Sequence, residues 1–419
     1  MQTFTLVFLA ALIISTLVQF WLSIRQMKHV SHHRSAVPEE FADKLSLEEH
    51  QKAADYTLTK GAFGRIEMFI GFALLIFWLY FGGLNWLDNF WRSFGEGRGW
   101  SDIYTGVAVL LSFSFISSLI GLPTSLYNTF VIEEKFGFNK TTLKTLIVDM
   151  VKGTLLGLAL GVPILMLILW LMESAGDLWW VYAWAALSIF SLLMMWAYPK
   201  FIAPIFNKFK PLEKGETLDL IQSLLKRSGF NSDGVFVMDG SRRSSHGNAY
   251  FTGFGKNKRI VFFDTLLETL TAPQIEAVLA HELGHFKHKH VLKGLVVSLT
   301  TTFIGFAILA WLMKQGWFFT GLGVEHSSTY MALLLFMLAS PAFTFLLGPV
   351  MSWWSRKHEF EADAFAAKQA SAKELISSLV SLYKENASTL TPDPLYSAFY
   401  DSHPPASIRI AHLKQLSAG

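Results

Sequence analysis

The chain contains no cysteine. Disulfide bridges, Cys-ligated zinc, thiol catalysis and S-palmitoylation are therefore excluded, and the redox compartment is left open. Charge is also scarce. Only 16% of the 419 residues are Asp, Glu, Lys or Arg, against about 25% in soluble domains. With 52% hydrophobic residues and a mean hydropathy of +0.37, this is the composition of a membrane protein. The net charge of +3 is too small to point to nucleic acid, so none is expected as a partner. No internal repeat and no low-complexity tract is visible. The first apolar run lacks a preceding charged segment and a small-residue cleavage site, so it reads as a retained span rather than a signal peptide.

A membrane span needs roughly 17–25 mostly apolar residues. Seven stretches qualify, at about 3–24, 66–88, 103–122, 154–173, 178–198, 291–313 and 329–351. The connections 25–65, 123–153 and 199–290 and the tail after 351 are rich in Lys and Arg, whereas 89–102, 174–177 and 314–328 hold only Arg92, Arg98 and Lys314. The positive-inside rule then puts the N-terminus outside and the C-terminus in the cytoplasm. Four regions follow. Residues 1–198 carry transmembrane helices 1 to 5 and their loops. Residues 199–290 and 352–419 are hydrophilic blocks, separated by spans 6 and 7 at 291–351.

Within 199–290, Thr217 to Arg227 has Leu218, Ile221, Leu224 and Leu225 on one face and Gly229 as a stop, the pattern of an amphipathic helix. The runs VFVMDG (235–240), NAYFTG (248–253) and RIVFFD (259–264) predict about three strands, joined by the turn-rich linkers SRRSSHG and FGKNK. Thr271 with Gln274 and Ser371 with Glu374 form capping boxes that start two helices.

The first of these helices leads into LAHELGHFKHKHVLKGLVVSL (279–299), which begins polar and ends as apolar as a bilayer span. His281 and His285, four residues apart, share a helical face and can reach one ion. Zinc takes imidazole nitrogen readily, and a catalytic site keeps three protein ligands and one water. Glu282 lies beside that water and suits the role of proton acceptor. The five-residue pattern alone is weakly specific, and solvated histidines on a surface helix are its bland alternative. Here it sits on a capped helix after a predicted edge strand. A third ligand is offered by EFEAD after the last span, where Glu359 and Asp363 share a face. Glu359 completes a His-His-Glu set. Asp363 then accepts a proton from a ligand imidazole and fixes its tautomer. Glu361 reads as a solvated residue. His288 and His290 read as interface residues between snorkelling Lys287 and Lys289. Ser112, Ser114, Ser117 and Ser118 in the third span read as helix contacts.

With these motifs in place, the chain resembles the type I CAAX prenyl protease family of integral-membrane zinc metallopeptidases. The resemblance spans nearly the whole chain and is carried by LPTSLYNTFVIEEKFGFNKTT (122–142), YPKFIAPIFNKFKPL (198–212), GNAYFTGFGKNKRIVFFDTLL (247–267), HELGHFKHKH (281–290), SRKHEFEADAFA (355–366) and SHPP (402–405). It implies an α-helical polytopic fold of seven transmembrane helices around a large water-filled chamber, closed by a cytoplasmic-side α+β metalloprotease domain. It implies one Zn2+ per chain on His281, His285 and Glu359, Glu282 as catalytic glutamate, and Asp363 behind the ligands. It implies a substrate-binding strand at Asn248, Ala249 and Tyr250, and brings His403 and Arg409 towards the scissile carbonyl or the substrate carboxylate. Unaided, His403 reads as a turn residue and Arg409 as a solvated one. A wet chamber also tolerates Glu67 and the serines of the third span.

The resemblance implies removal of the C-terminal tripeptide after a prenylated cysteine. The alternative is a quality-control endopeptidase acting on non-prenylated membrane proteins. A transporter with a structural metal would show two related halves, which are not visible, and has no use for Glu282. The expected partners are a prenylated or membrane-associated peptide and membrane lipid, with the enzyme a monomer. The lack of cysteine and of an evident ER-retrieval signal fits a bacterial inner membrane, with the ER membrane as the alternative.

Overall fold

The computed structural model describes residues 3–252 and 259–418. The FGKNK turn expected at 254–258 lies outside the described residues. Among the described residues seven helical runs are long and apolar enough to cross a membrane: Thr3–His33, Leu47–Tyr80, Asp102–Glu133, Leu143–Ser174, Gly176–Phe206, His290–Leu312 and Thr329–Gln369. The first is 31 residues, about 46 Å at 1.5 Å per residue, against a hydrocarbon core of about 30 Å. The spans therefore project beyond the bilayer. Between 11% and 33% of each apolar stretch is buried, and the rest is partly or fully exposed at the helix surfaces.

Each span packs on its chain neighbours, with the helix Gly83–Glu96 bridging the second and third, and the seventh returns to the first. The spans thus close a ring. At one end Tyr330 crosses it. Tyr330 is fully buried against Gly106, and its hydroxyl donates to Asp88 at 2.6 Å, which also takes Arg92 Nε at 2.9 Å.

Three span boundaries differ from the sequence reading. The second span stops at Tyr80 rather than 88, because Gly82 adopts φ +81° and a separate helix, Gly83–Glu96, begins. The apolar run across that break hid it. The last span is two helices. Pro341 lacks the N–H that would bond the Met337 carbonyl, and after Phe345–Leu347 a new helix, Gly348–Gln369, carries the EFEAD motif (the acid helix). The run 279–299 is also two helices. Ala272–Lys287 (the motif helix) ends before Lys289, which takes φ +58°, and His290 opens the sixth span.

The hydrophilic blocks fold together. The sheet has four strands, not three: β1 Phe209–Pro211, β2 Val235–Met238, β3 Ala249–Thr252 and β4 Arg259–Phe263, in the order β1-β2-β4-β3. β2 and β4 are parallel and the other pairs antiparallel. β1 is too short to show alternation, and its Pro211 is tolerated at an edge. The helix Glu216–Ser228, stopped by Gly229 at φ +68°, buries Ile221, Leu224 and Leu225 in one core with Phe262, Ile275 and Leu279. The motif helix starts at the expected box, with Gln274 Oε1 accepting from the Thr271 N–H at 2.9 Å. Ser371 caps Ala372–Glu385 by accepting from the Glu374 N–H.

The motif and acid helices cross at Gly284. A Cβ there would lie 2.8 Å from Ala362 Cα and 3.0 Å from its carbonyl oxygen. Neither atom can yield without moving a helix. Gly284→Ala should therefore destabilise the protein by about 1–3 kcal/mol, although Ala ordinarily exceeds Gly in a helix by about 1 kcal/mol. A lower melting temperature and a lower bound-metal content would show this. An unchanged or higher melting temperature would mean that the crossing is looser than described.

Candidate metal centre

The crossing at Gly284 places two faces together. His281 and His285 point from the motif helix towards Glu359 of the acid helix. His281 Nε2 lies 3.2 Å from His285 Nε2 and 3.4 Å from Glu359 Oε2, and His285 Nε2 lies 3.3 Å from Glu359 Oε1. One donor atom from each of the three residues lies within 4.8 Å of the others, and among the described residues no other such cluster occurs. Glu359 Oε2 is buried and has no hydrogen-bond donor. A buried carboxylate with one oxygen lacking a donor, its two oxygens each facing a ring nitrogen, has the chemistry of a cation site.

Asp363 lies one turn beyond Glu359 and is fully buried. Its Oδ1 is 2.8 Å from His281 Nδ1. Arg409, buried in the helix Ala406–Ala418, grips the same carboxylate through Nε at 2.9 Å and Nη2 at 2.6 Å. Its Nη1 lies 3.5 Å from Glu359 Oε2. Two carboxylates against one guanidinium leave one uncompensated negative charge. Burial works to lower the His281 pKa, but Asp363 and Glu359 outweigh it and push it up to about 9. The cluster therefore attracts positive charge at this point.

The remaining expected residues border the same space. A cavity of about 330 Å³ is lined by Asn248, Ala249, His281, Glu282, His403 and Arg409, among others. Glu282 is half-buried on its wall, and its carboxylate makes no hydrogen bond among the described residues. Its chain neighbours are committed: His281 to the cation site, Leu283 to the core. His403 Nε2 lies 3.4 Å from Glu359 Oε1, with the side chain largely exposed. Its loop is held from the acid helix, where Arg356 Nη1 donates to the carbonyls of Ser397 at 3.1 Å and Asp401 at 2.9 Å. β3 is an edge strand with β4 on its inner side only. The Asn248 carbonyl accepts from the Phe263 N–H at 3.0 Å. By alternation the backbone groups of Ala249 and Phe251 face outward. Tyr250 turns its ring edge to Phe263 and does not line the cavity, unlike Asn248 and Ala249.

Three residues depart from the sequence reading. Arg409 is buried, not solvated. Glu361 and His290 are not bystanders: His290 is buried, and its Nε2 lies 2.9 Å from Glu361 Oε2. His288 is exposed, as expected. The sequence reading also missed Tyr383 and Asn386, which line the cavity from the end of Ala372–Glu385, because nothing local distinguishes them. In the third span, Ser112 Oγ accepts from Trp91 Nε1 at 3.0 Å, a contact between neighbouring helices.

Comparisons with known proteins agree along the whole chain. The family model for the CAAX prenyl protease N-terminal segment, with five membrane helices, matches residues 26–208, and that for peptidase family M48 matches residues 211–417. A CAAX prenyl protease 1 homolog of Arabidopsis thaliana is 37% identical over 414 residues, covering 95% of each chain. The Homo sapiens homolog is 33% identical, covering 98% of this chain and 96% of its own. CAAX prenyl protease 1 of Saccharomyces cerevisiae is 41% identical over 321 residues, covering 73% of this chain and 71% of its own. The crystal structure of S. mikatae Ste24p superimposes with a TM-score of 0.91 at 33% identity, covering 99% of each chain.

The buried Asp363–Arg409 pair generates a two-part expectation. Asp363→Asn breaks a buried ion pair by removing the carboxylate that Arg409 grips through two nitrogens and should cost about 3–5 kcal/mol. The double variant Asp363→Asn with Arg409→Gln should recover much of that stability, yet should still retain metal about 10- to 100-fold less well, because His281 has lost its carboxylate. Melting curves and chelator competition measure the two effects separately. Wild-type metal retention in the double variant would remove Asp363 from the metal's support.

Proposed function

The chain belongs to peptidase family M48 in its membrane-embedded CAAX prenyl protease form, a membrane metallopeptidase, and we propose that its metal is zinc, held by His281, His285 and Glu359. One observation carries the choice of metal. Zinc bonds of about 2.0–2.1 Å in a tetrahedron set neighbouring ligand atoms about 3.3 Å apart. His281 Nε2 and His285 Nε2 lie 3.2 Å apart here, and each meets its own oxygen of Glu359, Oε2 at 3.4 Å and Oε1 at 3.3 Å.

When bound, zinc supplies a Lewis acid that polarises the scissile carbonyl and makes a water acidic enough to attack near neutral pH. Everything else is done by the chain. Glu282 Oε takes the proton of the attacking water and delivers it to the leaving amide nitrogen. Among the described residues no protein group bonds its carboxylate, which leaves it free for both transfers. His403, reaching from a loop into the same cavity, donates to the carbonyl oxygen as negative charge develops there. Arg409 commits two N–H groups to Asp363, so its contribution is to hold that carboxylate and to place a positive charge behind Glu359. The peptide lies along the free edge of β3 at Asn248, Ala249 and Tyr250. Backbone pairing there gives affinity without sequence demand.

The substrate reading follows from the family and from the site's place just outside the spans. A C-terminal peptide anchored by a prenyl group would arrive from the membrane, and cleavage after the prenylated cysteine would release the last three residues. The Lys and Arg distribution supports a cytoplasmic-side site with the N-terminus outside.

The test is cleavage of a farnesylated CAAX peptide by purified protein in detergent. Glu282→Gln should keep one zinc per chain and lower turnover by about 100- to 10,000-fold, the usual worth of a general base. Turnover within tenfold of wild type would remove Glu282 from the proton-transfer role. Stoichiometric zinc without cleavage of the prenyl peptide would overturn the substrate reading and keep the metal site.

A further inference from the structure

The two metal-facing imidazoles are supported differently. His281 leans directly on a carboxylate, Asp363. His285 leans on another histidine: its Nδ1 lies 3.0 Å from His290 Nδ1. His290 Nε2 in turn lies 2.9 Å from Glu361 Oε2.

One arrangement of protons satisfies both contacts while leaving His285 Nε2 free for a cation. His285 carries its proton on Nδ1 and donates it to His290. His290 accepts at Nδ1 and donates from Nε2 to the Glu361 carboxylate. The reverse arrangement would move the His285 proton to Nε2 and block the ligand position. A buried histidine satisfied by a nearby carboxylate is the bland alternative. It explains the contact to Glu361 but leaves the contact between the two Nδ1 atoms without a role.

His290 is also locked in place. Lys289 takes the left-handed conformation at φ +58°, which costs a non-glycine residue about 1–2 kcal/mol. That turn brings His290, the first residue of the sixth span, back against the motif helix. The His290 ring lies nearly parallel to that of His358, with centroids 3.9 Å apart and planes at 11°. Trp354 meets His358 edge-on at 4.4 Å. His290 is 6% exposed, so water does not compete for its nitrogens.

We propose that His290 and Glu361 are positioning residues that fix the tautomer and ring plane of His285, as Asp363 and Arg409 do for His281. The proposal rests on the metal reading above. An imidazole between His285 and its carboxylate also keeps a third negative charge one ring further from Glu359 and Asp363. The relay ties the metal ligand to the first turn of a membrane span on one side and to the acid helix on the other.

The experiment compares zinc retention by chelator competition in full-length protein in detergent, with the absorption spectrum of the cobalt(II)-substituted protein as a second readout. If wild-type protein binds no zinc, the metal reading fails and the relay falls with it. Given one zinc in wild type, His290→Phe keeps a ring against His358 but removes both nitrogens. It is expected to weaken zinc retention about 10- to 100-fold and to shift the cobalt spectrum. His290→Asn leaves an amide acceptor near the Nδ1 position and is expected to recover most of that loss. Wild-type retention with an unshifted spectrum in the Phe variant overturns the relay. So does a loss in the Asn variant as deep as in the Phe variant, which would mark a packing role alone. If the Phe variant does not fold, Glu361→Gln decides. It keeps an acceptor and removes the charge, and about a tenfold loss supports the relay, whereas unchanged retention overturns it.

Discussion

The structure turns on a close approach between two helices. Gly284 lets the backbone of the motif helix meet Ala362 of the acid helix, and the metal-facing groups lie on either side of that contact. One helix supplies the imidazoles and the other the carboxylates. A separation larger by one methyl group would move both histidine–carboxylate pairs, which now lie at 3.3 and 3.4 Å. Close-packed interiors transmit such a displacement rather than absorb it. The glycine inside HELGH is therefore part of the site, although it carries no chemistry of its own.

Charge imposes the next constraint. Glu359 and Asp363 are buried within one turn of each other. Two carboxylates so placed repel, and neither has access to water. The chain answers with Arg409 from the tail, which binds Asp363 through two nitrogens and faces Glu359 with a third. The tail is itself anchored to the first span, where Arg25 Nη2 meets Asp393 Oδ2 at 2.9 Å and Gln26 Oε1 accepts from the Asp393 N–H. The two ends of the chain are thus joined beside the metal centre, and a residue far from HELGH in sequence completes its electrostatics.

This explains what could be read in advance. Periodicity and short-range pairing exposed the spans, the amphipathic helix, both helix starts and the two motifs, because each depends on residues a few positions apart. His281, Glu282, His285, Glu359 and Asp363 are visible for the same reason. The site roles of Arg409 and His403 and the substrate-binding role of the strand at Asn248 entered only through the resemblance, since a lone arginine or a turn histidine carries no local signal. Glu361 shows the limit of local reasoning most clearly. Spacing pairs Glu359 with Asp363 and leaves Glu361 on the other face, where it looks solvated. Its partner, His290, comes from a different helix. The breaks at Gly82 and within the last span were hidden by unbroken apolarity, because hydropathy does not register a change of helix axis.

Those breaks change how the membrane and the site are related. If motif helix and sixth span were one rod, and the acid helix and seventh span another, the bilayer packing of the spans would fix the donor distances. Neither is continuous. The left-handed turn at Lys289 separates the first pair, and Pro341 with the short turn at Phe345–Leu347 separates the second. Each of the two crossing helices can therefore take the axis that its partner demands, and the crossing at Gly284 sets the geometry of the His-His-Glu cluster. The spans then need only hold the two helices near the membrane. Strain at Lys289 is the cost of this separation, and it falls where His290 must turn back to meet His285. The membrane thus fixes where the site lies, while the packing of the two helices fixes its geometry.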